Sequence, residues 1–359
     1  MDNRPNNRDV ECCVYCPSLC QSRCPVSRAT GDLTLSPFGK QSASWRLAKG
    51  MVKSTPETVR PLYMCFDCLA CRELCDHNID VPTNLSAARI REGERTSRPL
   101  LSERAPDSGE SWRRLRDAAP SWRLEDECQA LLVPGRELLE PEAYTLLQQV
   151  FRTLDRLGDM VIGITPDSVL SCGHHEAATG HLKQSRTAAN IARKRFARYK
   201  QVIFVSPHCA SFIRLHWPSF GLELERQFTT YTEFISQRMD YSRSGFFAKS
   251  VAYHDPCHLG RHLGQYQGPR DILKWATGEP PEELLFNRNQ SWCCGGGYPV
   301  AEVEPRIADA VTDDLVEMMA DLKSEVIVTG CARCALRMQA AAPDRDIRHL
   351  ADIVAELKP

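Results

Sequence analysis

Within eleven residues the chain places four thiols in the run Cys65-x2-Cys68-x2-Cys71-x3-Cys75. A second run, Cys13-x2-Cys16-x3-Cys20-x3-Cys24-Pro25, lies upstream, and near the other end SWCCGGGYP sets Cys293 and Cys294 side by side before three glycines. Of seventeen cysteines, nine precede residue 76 and five follow residue 256. A chain of 359 residues can bury a core without covalent staples, and a reducing compartment does not sustain a disulfide framework. Clustered thiols in that setting bind metal, and soft thiolates suit iron–sulfur clusters and zinc far better than hard cations.

The Cys65–Cys75 spacing is that of bacterial [4Fe–4S] ferredoxins. Three thiolates on a tight loop reach three irons of one cube, and the fourth reaches the neighbouring cube. Crossing the fourth ligands gives Cys13, Cys16, Cys20 and Cys75 for one [4Fe–4S] cluster. Cys65, Cys68, Cys71 and Cys24 serve the other. Cys12 competes with Cys13 as a ligand. Four-cysteine zinc sites instead use two separated pairs, which fits these runs less well.

The elements that must carry these thiols differ along the chain. SPFGKQSASWRLAKG, STPETVRPLYM (Ser54 as a cap, Pro56 near the start) and VPTNLSAARIREGER read as helices, with no strand alternation. Residues 1–96 are therefore expected to form an all-helical two-cluster domain. Residues 97–125, rich in Ser, Pro and Arg, read as a linker with one short helix, and Trp112 and Trp122 as its anchors. From residue 126, ALLVP, MVIGI, QVIFVSP, SVAYHDP and EVIVTG read as strands alternating with helices. This predicts an α/β region with largely parallel sheets, and an α+β multidomain chain overall. Shifting the chain by 122 residues superposes Pro134 on Pro256, Gly135 on Cys257, Ser171-Cys172-Gly173 on Cys293-Cys294-Gly295, Cys209 on Cys331 and Phe212 on Cys334. The region thus reads as two repeats, 126–245 and 246–359.

In the second repeat, Cys257, Cys293, Cys294, Cys331 and Cys334 follow strands or turns at one end of the expected sheet, where open α/β sheets bind ligands. The glycines Gly295–Gly297 allow main-chain N–H groups to approach sulfur. A Cys293–Cys294 disulfide would strain an eight-membered ring and leave three thiols unexplained.

The motifs HDPCHLGRH, SWCCGGGYP and VTGCARC, with the N-terminal runs, resemble the cysteine-rich CCG family. That family includes heterodisulfide reductase subunits and the iron–sulfur subunits of glycolate oxidase, lactate utilisation and anaerobic glycerol-3-phosphate dehydrogenase complexes. The resemblance implies a [4Fe–4S] cluster, of non-cubane type, on Cys257, Cys293, Cys294, Cys331 and Cys334. The first repeat departs from it, keeping two cysteines, Cys172 and Cys209; these with His174, His175 and His208 offer a zinc alternative. Cys12 and Cys128 read as free thiols.

The resemblance implies an iron–sulfur electron-transfer subunit that takes electrons from a flavoprotein dehydrogenase partner and delivers them to a quinone, a membrane subunit or another carrier. The alternative is a catalytic subunit that reduces a disulfide at the C-terminal cluster, with His254, His258 and His262 as proton donors; no catalytic residue is otherwise singled out. No GxGxxG fingerprint is present, which puts the flavin on another chain. A net charge of −1 argues against nucleic acid as a partner. The polar N-terminus and the lack of long apolar runs give a cytoplasmic expectation, with any membrane contact made through a partner.

Overall fold

The computed structural model describes residues 7–96, 108–119, 128–157, 162–224, 228–239 and 246–357. Five helices make up the N-terminal part: α1 (Asn7–Val14), α2 (Pro25–Thr30), α3 (Pro37–Ala48), α4 (Pro56–Tyr63) and α5 (Val81–Thr96). Ser36 caps α3 by accepting a hydrogen bond from the Gly39 N–H at 3.1 Å. For α4 the cap is Thr55 rather than Ser54, because Thr55 and Thr58 form a reciprocal capping box. The buried face of α3 is unusual: Lys40, Gln41 and Ser44 are all buried. Of these, Lys40 faces the thiols, with its ammonium 3.4 Å from Cys24 Sγ.

A short helix, α6 (Ser108–Ala118), lies within the expected linker, where Trp112 packs on the main core. Trp122, like much of that linker, lies outside the described residues.

Two four-stranded sheets follow. The first joins β1 (Ala130–Val133), β2 (Ile162–Gly163), β3 (Gln201–Phe204) and β4 (Phe228–Thr230) in the order β2-β1-β3-β4. The second joins β5 (Val251–His254), β6 (Glu282–Glu283), β7 (Val326–Thr329) and β8 (Asp346–His349) in the order β6-β5-β7-β8. Every pairing is parallel. Helices carry each crossover, as parallel pairing requires. In the first repeat they are α7 (Tyr144–Arg156), α8 (His174–Ala178), α9 (Leu182–Phe196) and α10 (Pro207–His216), and α11 (Tyr231–Ser236) follows its last strand. In the second they are α12 (Gln267–Thr277), α13 (Val300–Val303), α14 (Pro305–Met318) and α15 (Ala332–Ala341), and α16 (Leu350–Glu356) follows its last strand.

One core serves both sheets. Leu147, Val150, Phe151 and Leu154 recur on one face of α7 and bury against Ile353 and Val354 of α16. Each such side chain contributes about 1.5–3 kcal/mol on burial. The Thr153 hydroxyl donates to the Ala351 carbonyl at 3.2 Å across the same seam. The N-terminal part packs on the second repeat: Val26, Leu62 and Phe66 share a cluster with Val300, Ala308 and Val311. At its rim Arg60 pairs with Glu304 at 2.8 Å.

The gap-free shift of 122 needs correction at its last segment. In the sheets Phe204 pairs with Val133, and Thr329 with His254. Beyond those strands Ser206 and Cys331 each stand at the N-cap position, before α10 and α15, without a side-chain capping bond. Each helix carries a cysteine three residues later, so the counterpart of Cys334 is Cys209, and Ser206 stands in for Cys331. The loops before the two strands differ by three residues, which the unbroken shift could not register.

Candidate iron–sulfur centres

In the N-terminal part the structure groups Cys13 with Cys16, Cys20 and Cys75. Burial, then the neighbouring Cys20 and Cys75, pushes the Cys13 thiol up to about 12. Cys71 neighbours Cys68, Cys65 and Cys24, and also faces Cys20, so the two groups adjoin. Cys12 sits beside Cys13. The loops close through residues in the left-handed region: Ser18 at φ 63°, Asp67 at φ 56° and Leu69 at φ 58°. Each costs about 1–2 kcal/mol relative to an ordinary conformation. Three such residues within the thiol loops are backbone bent to bring sulfurs together.

A cation faces the second group. The Lys40 ammonium lies 3.4 Å from Cys24 Sγ, fully enclosed. Burial would lower its pKa, but the charges of Cys24, Cys65 and Cys71 outweigh burial and hold it above the ordinary lysine value.

All five cysteines of the second repeat are buried. Cys257 opens a π-helical turn (His258–His262) just past β5, Cys331 stands at the N-cap position of α15 after β7, and Cys334 lies in its first turn. Their thiols fall into two contacting sets. Cys294 and Cys334 are 3.0 Å apart, with Cys331 beside Cys334. Cys293 contacts Cys257 and also Cys68 of the N-terminal part. The hydrogen bond from Cys293 holds the Cys68 thiol below its ordinary pKa, and the one from Cys334 does the same for Cys294.

The donors around these sulfurs fit an iron–sulfur group. The Gly295 N–H points to Cys293 Sγ at 3.4 Å, and the Gly296 N–H to Cys294. Arg261 is charged and buried close to Cys68, Cys257 and Cys293. Its Nε donates to the Cys68 carbonyl at 2.5 Å and its Nη1 to the Ser291 carbonyl at 2.7 Å, tying the two thiol loops together. Buried thiolates offset by N–H dipoles and fixed cations are the environment that tunes such clusters.

The glycines of SWCCGGGYP have separate reasons. Gly295 takes φ +75°, and a Cβ there would stand 2.5 Å from the Ala308 carbonyl oxygen. A Cβ on Gly297 would overlap the Phe66 carbonyl, in the loop between Cys65 and Cys68. The glycine run is thus where the two thiol-bearing loops meet backbone to backbone.

In the first repeat, Gly135, Ser171, Cys172, Ser206 and Cys209, the counterparts of the five C-terminal cysteines, all line one cavity of about 80 Å³. Cys172 and Cys209 contact each other there. The histidines of the zinc alternative, His174, His175 and His208, line the same cavity, where His175 pairs with Glu302 at 3.1 Å. Arg333, from between Cys331 and Cys334, reaches the same cavity. His254 is spent on structure: its Nε2 bonds the Trp292 carbonyl at 3.1 Å.

Lys40, Asp67, Arg261 and Arg333 were not singled out from the sequence. Arg261 lies inside HDPCHLGRH and Arg333 inside VTGCARC, so their places in the motifs were the available signal.

Comparison with known proteins agrees with this layout. The 4Fe-4S dicluster domain family matches residues 9–79, and the cysteine-rich CCG domain family matches residues 251–339. A fumarate reductase (CoM/CoB) subunit of Methanothermobacter marburgensis is 27% identical over 349 residues, covering 91% of this chain and 67% of that protein. A dihydromethanophenazine:CoB–CoM heterodisulfide reductase subunit of Methanosarcina barkeri is 24% identical over 97% of this chain and 94% of its own length. A probable membrane-anchored ferredoxin of Chromohalobacter salexigens is 25% identical over 82% of this chain and 48% of its own. Among solved structures, a hypothetical protein from Helicobacter pylori shares the fold at a TM-score of 0.52 and 12% identity, over 89% of this chain and 67% of that one. The chain is thus an iron–sulfur protein with a dicluster domain at one end and a CCG domain at the other, similar along nearly its whole length to subunits of heterodisulfide and fumarate reductases.

Proposed function

We propose that the chain is an electron relay between a flavoprotein partner and a terminal carrier such as a quinone. In this reading residues 1–96 hold two [4Fe–4S] cubes, on Cys13, Cys16, Cys20 and Cys75 and on Cys65, Cys68, Cys71 and Cys24. Residues 126–245 form a repeat without a cluster. Residues 246–359 hold a third, non-cubane cluster on Cys257, Cys293, Cys294, Cys331 and Cys334. When bound, the clusters supply one-electron chemistry. The residues position them and set their potentials.

The observation that carries the reading is the contact between Cys68 and Cys293. It makes the thiol sets of the two ends continuous, and Arg261 holds them in register. Relatives named as subunits of reductases support a partner. No helix among the described residues is long and apolar enough to cross a membrane.

A second reading, reduction of a disulfide at the C-terminal site, is favoured by the cavity that Arg333 reaches from between Cys331 and Cys334. One assay separates the two. The isolated chain, given reduced viologen and a panel of thiol disulfides, should show negligible turnover if it is a relay. Robust turnover that Cys294→Ser abolishes would overturn the relay reading. For a relay, Cys294→Ser should block delivery to the final acceptor, while a flavoprotein partner still reduces the N-terminal clusters.

A further inference from the structure

Where the Cys65–Cys68 loop touches both repeats, one carboxylate meets a group of buried imidazoles. Asp67 aims Oδ2 at His174 Nε2, 3.6 Å away, and Oδ1 at His262 Nε2, 3.9 Å away. Both distances are too long for satisfied hydrogen bonds. The His258 ring stacks on His262 with centroids 4.2 Å apart and planes 13° from parallel, and lies 5.7 Å from the His174 ring. One ligand atom from each of Asp67, His258 and His262 lies within 4.8 Å of the other two.

The protons of this group can be assigned. The Ser211 hydroxyl donates its single hydrogen to the His208 carbonyl at 3.1 Å. Its oxygen can then only accept from His258 Nδ1, 2.8 Å away. The His258 hydrogen therefore sits on Nδ1, and Nε2 carries a bare lone pair. That Nε2 is buried and has no partner among the described residues. A lone pair buried close to a carboxylate, with no hydrogen to fill the gap, is unfavourable unless a cation lies there. The Ser211 bond is also the kind of outer contact that orients a metal-binding histidine. His262 is oriented as well: its Nε2–H donates to the Asp67 carbonyl at 2.8 Å, which leaves Nδ1 as the nitrogen with a lone pair for an ion.

We propose that Asp67, His258 and His262, with His174 as the fourth donor, form a mononuclear site for a divalent transition ion such as zinc or ferrous iron, separate from the cysteine clusters. Imidazole and carboxylate donors suit those ions and not calcium or magnesium. Tetrahedral bonds of about 2.1 Å place donors about 3.4 Å apart, so the side chains must close around the ion and the stacked His258 and His262 rings must turn out of their parallel arrangement to bring it into both ring planes. The donors come from the Cys65–Cys68 loop, α8 of the first repeat and the turn after Cys257. The ion would pin three parts of the molecule at the point where the two thiol regions join.

The test uses the full chain with its clusters, with Zn2+ alone as the probe. After dialysis against micromolar Zn2+ and then metal-free buffer, the chain should retain about one zinc. Its zinc-edge X-ray absorption should show nitrogen and oxygen neighbours with imidazole outer-shell scattering. Asp67→Asn, which keeps the shape and tolerates the left-handed backbone, and His262→Gln should each lower retained zinc at least tenfold with iron content unchanged. No retained zinc, or sulfur among its neighbours, would overturn the proposal. So would variants that keep both their iron and wild-type zinc. The wild-type spectrum decides the matter even if a variant fails to fold.

Discussion

Lys40 holds its ammonium 3.4 Å from the sulfur of Cys24, in a pocket that also borders Cys65 and Cys71. A fixed positive charge at that range stabilises the reduced, more negative state of any cluster those thiols bind. At an effective dielectric constant of about 20, one charge roughly 7 Å from a cluster centre is worth on the order of 2 kcal/mol, or about 100 mV. Lys40→Met should therefore lower the midpoint potential of one N-terminal cluster by roughly 50–100 mV, and Lys40→Arg should largely restore it. A redox titration followed by electron paramagnetic resonance reads the shift. An unchanged potential in Lys40→Met would show that this lysine does not face a cluster.

Three clusters of four irons predict about twelve irons per chain. The cavity in the first repeat keeps two thiols of five positions, with Gly135, Ser171 and Ser206 at the others. The double variant Cys172→Ser, Cys209→Ser should leave iron content unchanged in anaerobic protein, whereas Cys294→Ser should lower it by about four. Loss of about four irons from the first-repeat variant would assign a cluster to that cavity.

Gly297 has no room for a methyl group against the Phe66 carbonyl. Gly297→Ala should destabilise the protein by about 1–3 kcal/mol, the usual cost of overpacking, and do so by separating the two thiol-bearing loops. The measurement is the iron-loss midpoint in urea for wild type and variant. Gly264→Ala serves as a control, since a Cβ there meets nothing within 4 Å, although its positive φ brings a small strain of its own. Equal effects from both variants would leave no role for the contact with Phe66.

Burial at the start of α16 pushes the Asp352 carboxyl up to about 6 from its ordinary 3.8. A raised folded-state pKa stabilises the protein below the ordinary carboxyl range, and that contribution is lost as pH rises through about 6. Asp352→Asn keeps an acceptor for the His349 N–H, now 2.8 Å from the carboxylate, and carries no charge at any pH. Its stability relative to wild type should thus improve between pH 5 and pH 8. Denaturation midpoints at the two values test this, and a gap that does not change with pH would contradict it.

The spacing of Cys65, Cys68, Cys71 and Cys75 was legible because a loop that gathers four thiols leaves little freedom in their separation. The parallel sheets were legible from β1, β3, β5 and β7, which are runs of buried apolar residues. Of the edge strands, β2 was legible within MVIGI and those of the second sheet were not. Glu282–Glu283 carries no hydrophobic signal, and Asp346–His349 is held mainly by its pairing with β7. Lys40 lies in a helix whose composition suggests exposure, and only the thiols opposite explain its burial. Asp67 reads as a loop residue between two cysteines, and its histidine neighbours come from residues more than a hundred positions away. The thiols of the second repeat could be gathered at one end of the sheet from the sequence. Their division into two contacting sets, with Cys68 joining one, depends on how the N-terminal part docks.

The exchange of Cys24 and Cys75 between the two N-terminal groups also bears on how the protein is made. Neither group is complete until synthesis has passed Cys75, and the neighbour that Cys68 meets, Cys293, appears only when most of the chain has left the ribosome. A cluster delivered early would meet an incomplete set of sulfurs. Under the proposed ligation, both N-terminal groups would become competent together, and the contact that joins them to the far end would form later.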